Sequence, residues 1–270
     1  MTQMTRTFLA ILQFDGRGFV GWQRQRACRS VQGEVEAVLA RLTGMPAVAH
    51  GAGRTDAGVH ADGLGVSFTV PERWHAPDLR RAMNALLPDD CWASALHEMV
   101  TGFHARRSAG SRSYRYVIGT DDAAASPFRR HYEWALGRDL DGGMLDAAAG
   151  LVRGAHAFES FSVRGQVKPH YRCTVSRAEW SRRTGGRGFE FQVEADRFLH
   201  HMVRMIVGTM IDIGLHRRPL ADIPTLLAAC DNAETSPPAP PHGLYFVAAT
   251  YPASAYAAET RESHAALQPS

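Results

Sequence analysis

Between residues 51 and 61 the sequence reads Gly51-Ala52-Gly53-Arg54-Thr55-Asp56-Ala57-Gly58-Val59-His60-Ala61. A guanidinium, a carboxylate and an imidazole fall within one short stretch that also holds three glycines. Such a carboxylate can serve as nucleophile or base, and the guanidinium can hold a phosphate or another carboxylate. Loops carried by rigid strands are where catalytic groups concentrate. Gly53 and Gly58 match the GxxxxG of a phosphate-binding loop, but Val59-His60 stands where that motif needs Lys followed by Ser or Thr. The Gly51/Gly53 pair lacks the third glycine of a dinucleotide fingerprint, and no long helix follows. Both nucleotide readings therefore fail. The plain alternative is a tight connection between strands in which the Asp bonds only to backbone.

Two further groups carry possible chemistry. In Arg112-Ser113-Tyr114-Arg115-Tyr116, strand alternation puts Arg112, Tyr114 and Tyr116 on one face. Aromatic faces stack on bases and Arg holds phosphates, so the segment suits nucleic acid, or else its tyrosines belong to a core. Arg204 lies at the edge of an apolar helical stripe formed by Leu199, Met202, Val203, Ile206, Met210 and Ile213. A partly buried Arg needs an anionic partner, most economically an isolated carboxylate from another element; a solvated Arg at a stripe edge needs none. Metal readings are weak. His97-Glu98 begins like HExxH, but Thr101 replaces the second His. His200 and His201 are adjacent and would face about 100° apart on a helix. No GxSxG supports a Ser-His-Asp site. Cys28, Cys91, Cys173 and Cys230 include no CxxC pair, so they read as reduced thiols and make no zinc cluster alone.

The elements that must hold these groups follow from periodicity. The first half reads as a strand over 5–14, a helix capped by Ser30, strands over 47–50 and 63–70, a helix entered at Pro77 and running through Leu87, and a strand over 91–100. The second half reads as a strand over 111–120, a helix over 140–153, a hairpin of 171–180 and 189–195 about Thr184-Gly185-Gly186, a helix over 198–215 and a strand over 243–251. An extra helix is expected at 220–230. The order β-α-β-β-α-β thus occurs twice, which predicts an α+β chain of two ferredoxin-like units. The boundary is expected between 101 and 110, giving halves of 1–105 and 106–252. Residues 253–270 show little core pattern and read as a flexible tail.

At 270 residues, 45% apolar and 21% charged, the chain can build a real core and is neither a disordered nor a disulfide-scaffold protein. No run approaches the roughly 18–20 apolar residues of a membrane span, and Met1–Thr7 lacks a signal-peptide layout, so a cytoplasmic protein is expected. The net charge of +3 is unevenly spread: residues 1–100 are neutral, residues 101–218 carry +7 and residues 219–270 carry −4. Of the 30 basic residues all but Lys168 are Arg. A GC-rich genome accounts for that ratio more readily than for the clustering, and a basic middle is the footprint of a polyanion site. The pairs Arg106/Arg107, Arg112/Arg115 and Arg129/Arg130, with Arg182/Arg183/Arg187, are candidate phosphate contacts.

Taken in order, several motifs make the chain resemble the tRNA pseudouridine synthase A family. They are Phe14-Asp15-Gly16 with Phe19-Val20-Gly21-Trp22-Gln23-Arg24-Gln25, the Gly51–Ala61 string, Phe103-His104-Ala105-Arg106, Ser113–Tyr116, Phe198-Leu199-His200-His201-Met202-Val203-Arg204-Met205-Ile206-Val207-Gly208, and Ala239-Pro240-Pro241-His242-Gly243-Leu244-Tyr245. The resemblance runs to about residue 252. It departs at Arg197, where many relatives carry a small residue, and at Met205, where an Asn is frequent. It implies the pseudouridine synthase fold with its active-site cleft between the two halves, a homodimer, a tRNA partner, and no cofactor or metal. It further implies conversion of uridine to pseudouridine at positions 38–40 of the anticodon stem-loop. Asp56 is then the catalytic nucleophile, Tyr114 stacks on the target base, Arg204 pairs with the carboxylate, and Arg54 and Leu244 contact the substrate. Two other functions remain open on the residues alone: a non-catalytic RNA-binding module, and a nucleotide-phosphate enzyme using the glycine-rich loop.

Overall fold

The computed structural model describes residues 4–163, 170–229 and 231–258. Lys168, Cys230 and the expected tail from 259 onward lie outside the described residues. Contacts divide the chain into one compact unit of Met1–Gly110 with Phe246–Ser270 and a second of Ser111–Tyr245. Both contain helices and mainly antiparallel strands, so the chain is α+β.

In the first unit the order is β1 (Thr5–Phe14), α1 (Val31–Thr43), β2 (His50–Gly51), β3 (His60–Pro71), α2 (Ala76–Asn84) and β4 (Cys91–Met99). Strand β1 lies between β3 and β4 and runs antiparallel to both; β2 pairs antiparallel with β3. Helix α1 starts where Ser30 Oγ accepts the Gly33 N–H and stops at Gly44, whose φ of +75° suits a left-handed C-cap. It buries Val31, Val35, Val38 and Leu39, the spacing of one helical face. Helix α2 has Pro77 in its first turn, but ends before the expected Leu87. Asn84 at its end bonds both the N–H and the C=O of Ala93, which fastens the helix to β4.

Strand β3 is longer than its alternating core suggests. Leu64, Val66, Phe68 and Val70 form the expected buried face, yet the small residues between them are covered too. A Cβ on Gly65 would stand 2.6 Å from the Tyr251 hydroxyl, and Ser67 Oγ accepts the Ala105 N–H. Gly63, Gly65 and Ser67 are small because other chain segments cross that face closely. Residues 253–257, expected to be loose, pack along β4 instead. Val100 N–H bonds Ala255 O, Ala257 N–H bonds Glu98 O, and the buried Tyr256 ring meets His97 edge-on.

The second unit holds β5 (Arg112–Gly119), β6 (Trp134–Ala135), α3 (Gly142–Val152), β7 (Gly154–Ala157), β8 (Arg172–Arg182), β9 (Gly188–Ala195), α4 (Met202–Gly214) and α5 (Asp222–Ala229). The strand order is β5-β9-β8-β7, antiparallel throughout, with β6 parallel to β5. The last strand, β10 (Leu244–Ala249), begins in this unit and ends in the first, beside β3. Strands β6 and β7 are too short to show a period in sequence. Glu133, next to β6, is buried and ion-paired with both Arg129 and Arg183, and Arg183 also reaches Ile118 O, which ties β8 to the end of β5.

Helix α4 starts at Met202 rather than at Phe198. His201 adopts a left-handed conformation (φ +62°), and the His200 carbonyl accepts the Val163 N–H, so 198–199 is irregular and 200–201 is a turn into the helix. The two histidines therefore do not share a helical surface; their rings lie 4.2 Å apart at a 50° tilt. The rest of the stripe is buried as expected, each large side chain contributing about 1.5–3 kcal/mol. Among the described residues no helix is long and apolar enough to cross a membrane.

Candidate active site

The Asp56 loop joins β2 to β3 and is fixed by backbone bonds at Ala52, Thr55, Asp56 and Val59. Ala52 N–H bonds Gly65 O at 2.7 Å. Thr55 O accepts the Trp22 N–H at 3.1 Å, and Asp56 O accepts the Val59 N–H at 3.2 Å. The buried His60 accepts the Gly16 N–H at Nδ1, 3.0 Å away, and Asp15 Oδ1 lies 3.3 Å from the same nitrogen. Two glycines let the chain at 16–22 lie flush against this loop. A Cβ on Gly16 would fall 2.2 Å from Val59 O, and one on Gly21, whose φ is +95°, 2.4 Å from Thr55 O. No side chain fits at either point. The Asp56 side chain is half-buried on this rigid support, and Arg54 is exposed. The backbone that carries this carboxylate is thus fixed on both sides of it, an arrangement that can hold a reacting group in place.

In the second unit Tyr114 sits on β5 opposite Val193. The residue is 8% exposed, and its ring meets Phe198 edge-on, 4.9 Å between centroids. Phe198 precedes the turn into α4, so Tyr114 is braced by the segment that leads to Arg204. Arg115 points to the other side of the strand, where its guanidinium lies 3.7 Å over the Tyr245 ring and 3.8 Å from Glu190.

Arg204 lies in the first turn of α4 and is half-buried, as the stripe-edge position predicts. Its Nε donates to Ala239 O at 2.7 Å, and its own carbonyl accepts the Ala239 N–H at 2.9 Å. Nearby, Tyr116 OH donates to Pro240 O at 2.8 Å, and the Gly243 backbone rests on the Tyr116 ring. Burial pushes the Tyr116 phenol well above its ordinary range, against the opposing pull of the Arg204 charge. Burial, then the charges of His131 and Arg204, holds His242 below its usual range. Leu244 follows directly as the buried first residue of β10.

Arg54 and Asp56 thus share one loop in the first unit. Tyr114, Arg204 and Leu244 belong to the second, linked through Phe198 and the 237–243 segment. The supporting residues Gly16, Gly21, His60 and Ala239 carried no role on sequence grounds. Their signal was present, since all four stand inside the quoted motifs. Of the candidate phosphate arginines, Arg112 is half-buried and donates to Asp196 O, and the others separate into two kinds. Arg115, Arg129 and Arg183 are engaged with acids, whereas Arg106, Arg107, Arg130, Arg182 and Arg187 are exposed.

Comparison with known proteins agrees with these motifs. A family model described as tRNA pseudouridine synthase matches residues 148–252. The tRNA pseudouridine synthase A of Geobacillus kaustophilus (strain HTA426) is 40% identical over 248 residues, covering 90% of this chain and 93% of the relative. That of Moorella thermoacetica (strain ATCC 39073 / JCM 9320) is 40% identical, covering 86% of this chain and 94% of the relative. The tRNA pseudouridine synthase A of Streptococcus sanguinis (strain SK36) is 36% identical, covering 90% and 97%. With relatives this similar over nearly their whole length, the chain belongs to the tRNA pseudouridine synthase A family.

Proposed function

We propose that this protein converts uridine to pseudouridine at positions 38–40 of the tRNA anticodon stem-loop, with Asp56 as the group that acts on the nucleoside. The observation that carries this is the Asp56 loop: a half-buried carboxylate held by backbone bonds at Thr55 and at its own carbonyl, in a chain of this family. The reaction breaks the bond from ribose C1′ to uracil N1 and forms one from C1′ to C5. No atom is gained or lost, so the chemistry needs no cosubstrate. Asp56 can bond C1′, take the proton at C2′ or attack uracil C6; each route uses the ionised carboxylate.

A stacked uridine is out of reach and must be turned out of the helix, at a cost of a few kcal/mol. The Tyr114 ring offers partial recovery by stacking on the base. Arg204 offers a charged fork to orient the carboxylate, and Arg54 and Leu244 are read as substrate contacts. In architecture we propose two ferredoxin-like units. The first unit's strand order, with β1 between β3 and β4 and β2 beyond β3, supports that for its half. We also propose a cytoplasmic homodimer; the free thiols of Cys28 and Cys91 suit a reducing compartment.

The test is carbodiimide-adduct mapping of an anticodon-arm RNA after incubation with wild type and with Asp56→Ala. Adduct stops within positions 38–40 for wild type alone, with RNA binding kept by the variant, are expected. Full turnover by Asp56→Ala would remove Asp56 from the reaction. A wild-type protein that binds the RNA and leaves no adduct would instead be a non-catalytic RNA-binding module, the function that the basic stretch 101–218 also suits.

A further inference from the structure

The run Pro237-Pro238-Ala239-Pro240-Pro241 contains a single residue with a backbone N–H. That residue, Ala239, is 1% exposed, and both of its backbone polar groups go to Arg204. Its N–H donates to the Arg204 carbonyl, and its C=O accepts the Arg204 Nε–H. The flanking prolines fix their own φ and hold each residue that precedes a proline in extended backbone. The run is therefore preset before it meets the helix and loses little entropy there. It crosses α4 at two points one turn apart. Ala239 meets Arg204, and Pro237 O lies so near Gly208 that a Cβ there would be 2.2 Å away.

Both ends of the run are anchored. Upstream, Arg218 donates to Glu234 O at 2.6 Å and to Ser236 Oγ at 3.2 Å. Downstream, Tyr116 OH donates to Pro240 O, and the Gly243 backbone seats on the Tyr116 ring. The bond at Nε fixes the plane of the Arg204 guanidinium, and with it the direction of the Nη donors. We propose that the proline run, through Ala239, is a positioning strap for Arg204, and that Tyr116 holds the strap in register. This rests on the assignment of Arg204 to the reaction. Tyr116 touches no reacting atom; it acts through Pro240 and Ala239.

The test uses the full-length protein in single-turnover assays on tRNA, with RNA affinity and thermal melting measured in parallel. Tyr116→Phe keeps the ring and removes only the hydroxyl. It is expected to lower the rate roughly 5–20-fold, the scale of one lost hydrogen bond, with RNA affinity held within about twofold. In an Arg204→Ala background the same change is expected to cost nothing further. Ala239→Pro deletes the N–H that donates to the Arg204 carbonyl and pushes the ring's Cδ toward that oxygen, so it is expected to lower the rate more than Tyr116→Phe does, and it serves as the second probe of the strap at a temperature where it is folded. A wild-type rate in both strap variants beside an impaired Arg204→Ala overturns the strap alone. An equal loss in both backgrounds overturns it too, since Tyr116 would then act elsewhere. A wild-type rate for Arg204→Ala overturns the assignment of Arg204 itself and the strap with it.

Discussion

Gly16 and His60 are joined by a bond from backbone to ring: the Gly16 N–H donates to His60 Nδ1 at 3.0 Å, with the imidazole 2% exposed. The bond closes β3 onto the chain that follows β1, four residues past Asp56. His60→Ala would leave the N–H buried without its acceptor and open a void. These cost about 1–3 kcal/mol for the orphaned group and more for the cavity. A stability loss of about 2–4 kcal/mol in urea titration is expected, with a turnover loss at temperatures where the variant is still folded. Wild-type stability would show that the ring does not support the loop.

Gly21 and Gly44 both have positive φ and separate backbone strain from site geometry. At Gly21 a Cβ meets Thr55 O at 2.4 Å, an atom of the residue preceding Asp56; at Gly44 nothing stands within 4 Å. Gly44→Ala is expected to cost about 1 kcal/mol of stability, with an unchanged rate per folded molecule. Gly21→Ala must also push the Asp56 loop away. A rate at least roughly tenfold lower, with tRNA affinity retained, is expected if Asp56 acts on the nucleoside as proposed. Equal rates for the two folded variants would count against a rigid-loop requirement.

The motif residues at 14–22, 51–61, 198–208 and 239–245 were legible because their glycines, prolines and charges are unusual in type and spacing. Their mutual contacts were not. Nothing near Gly16 in sequence says that Val59 lies against it. The apolar stripe of α4 was plain, but periodicity extends through Phe198–His201, where the left-handed His201 breaks the helix. Strand β3 was recognised from Leu64, Val66, Phe68 and Val70. Its second face depends on Ala105 and Tyr251, far along the chain, so no local pattern explains its small residues. Tyr256 reads as part of a tail because one buried aromatic sets no period.

The arginines should divide by what they already touch. Arg106 and Arg107 are exposed, so replacing both with Ala is expected to weaken tRNA binding and to flatten the dependence of log affinity on log salt, by roughly 1 for each phosphate no longer neutralised. Arg115 is stacked on Tyr245 beside Glu190, so Arg115→Ala is expected to lower stability and leave the salt slope near wild type. A filter-binding salt series on both variants measures this. A larger change of slope from Arg115→Ala than from the double variant would reverse the assignment.

His242 gives the fold a predictable acid response. Burial, followed by the charges of His131 and Arg204, depresses its proton affinity in the folded chain. Below the ordinary histidine value, about pH 6.5, the unfolded chain takes up a proton here that the folded chain takes only at lower pH. The stability tied to His242 is therefore fully present above that pH and is lost as pH falls toward the depressed folded value. His104 acts in the same direction, through its burial first and then its neighbours His50 and Arg107. Urea titrations between pH 7 and pH 5 are expected to show a shallower decline for His242→Gln than for wild type. Since the Arg204 charge is one of the causes, Arg204→Ala is expected to raise the folded His242 pKa toward its ordinary value. An NMR titration of the His242 ring reads that directly, and an unmoved midpoint in Arg204→Ala would mean that burial and His131 alone depress this imidazole.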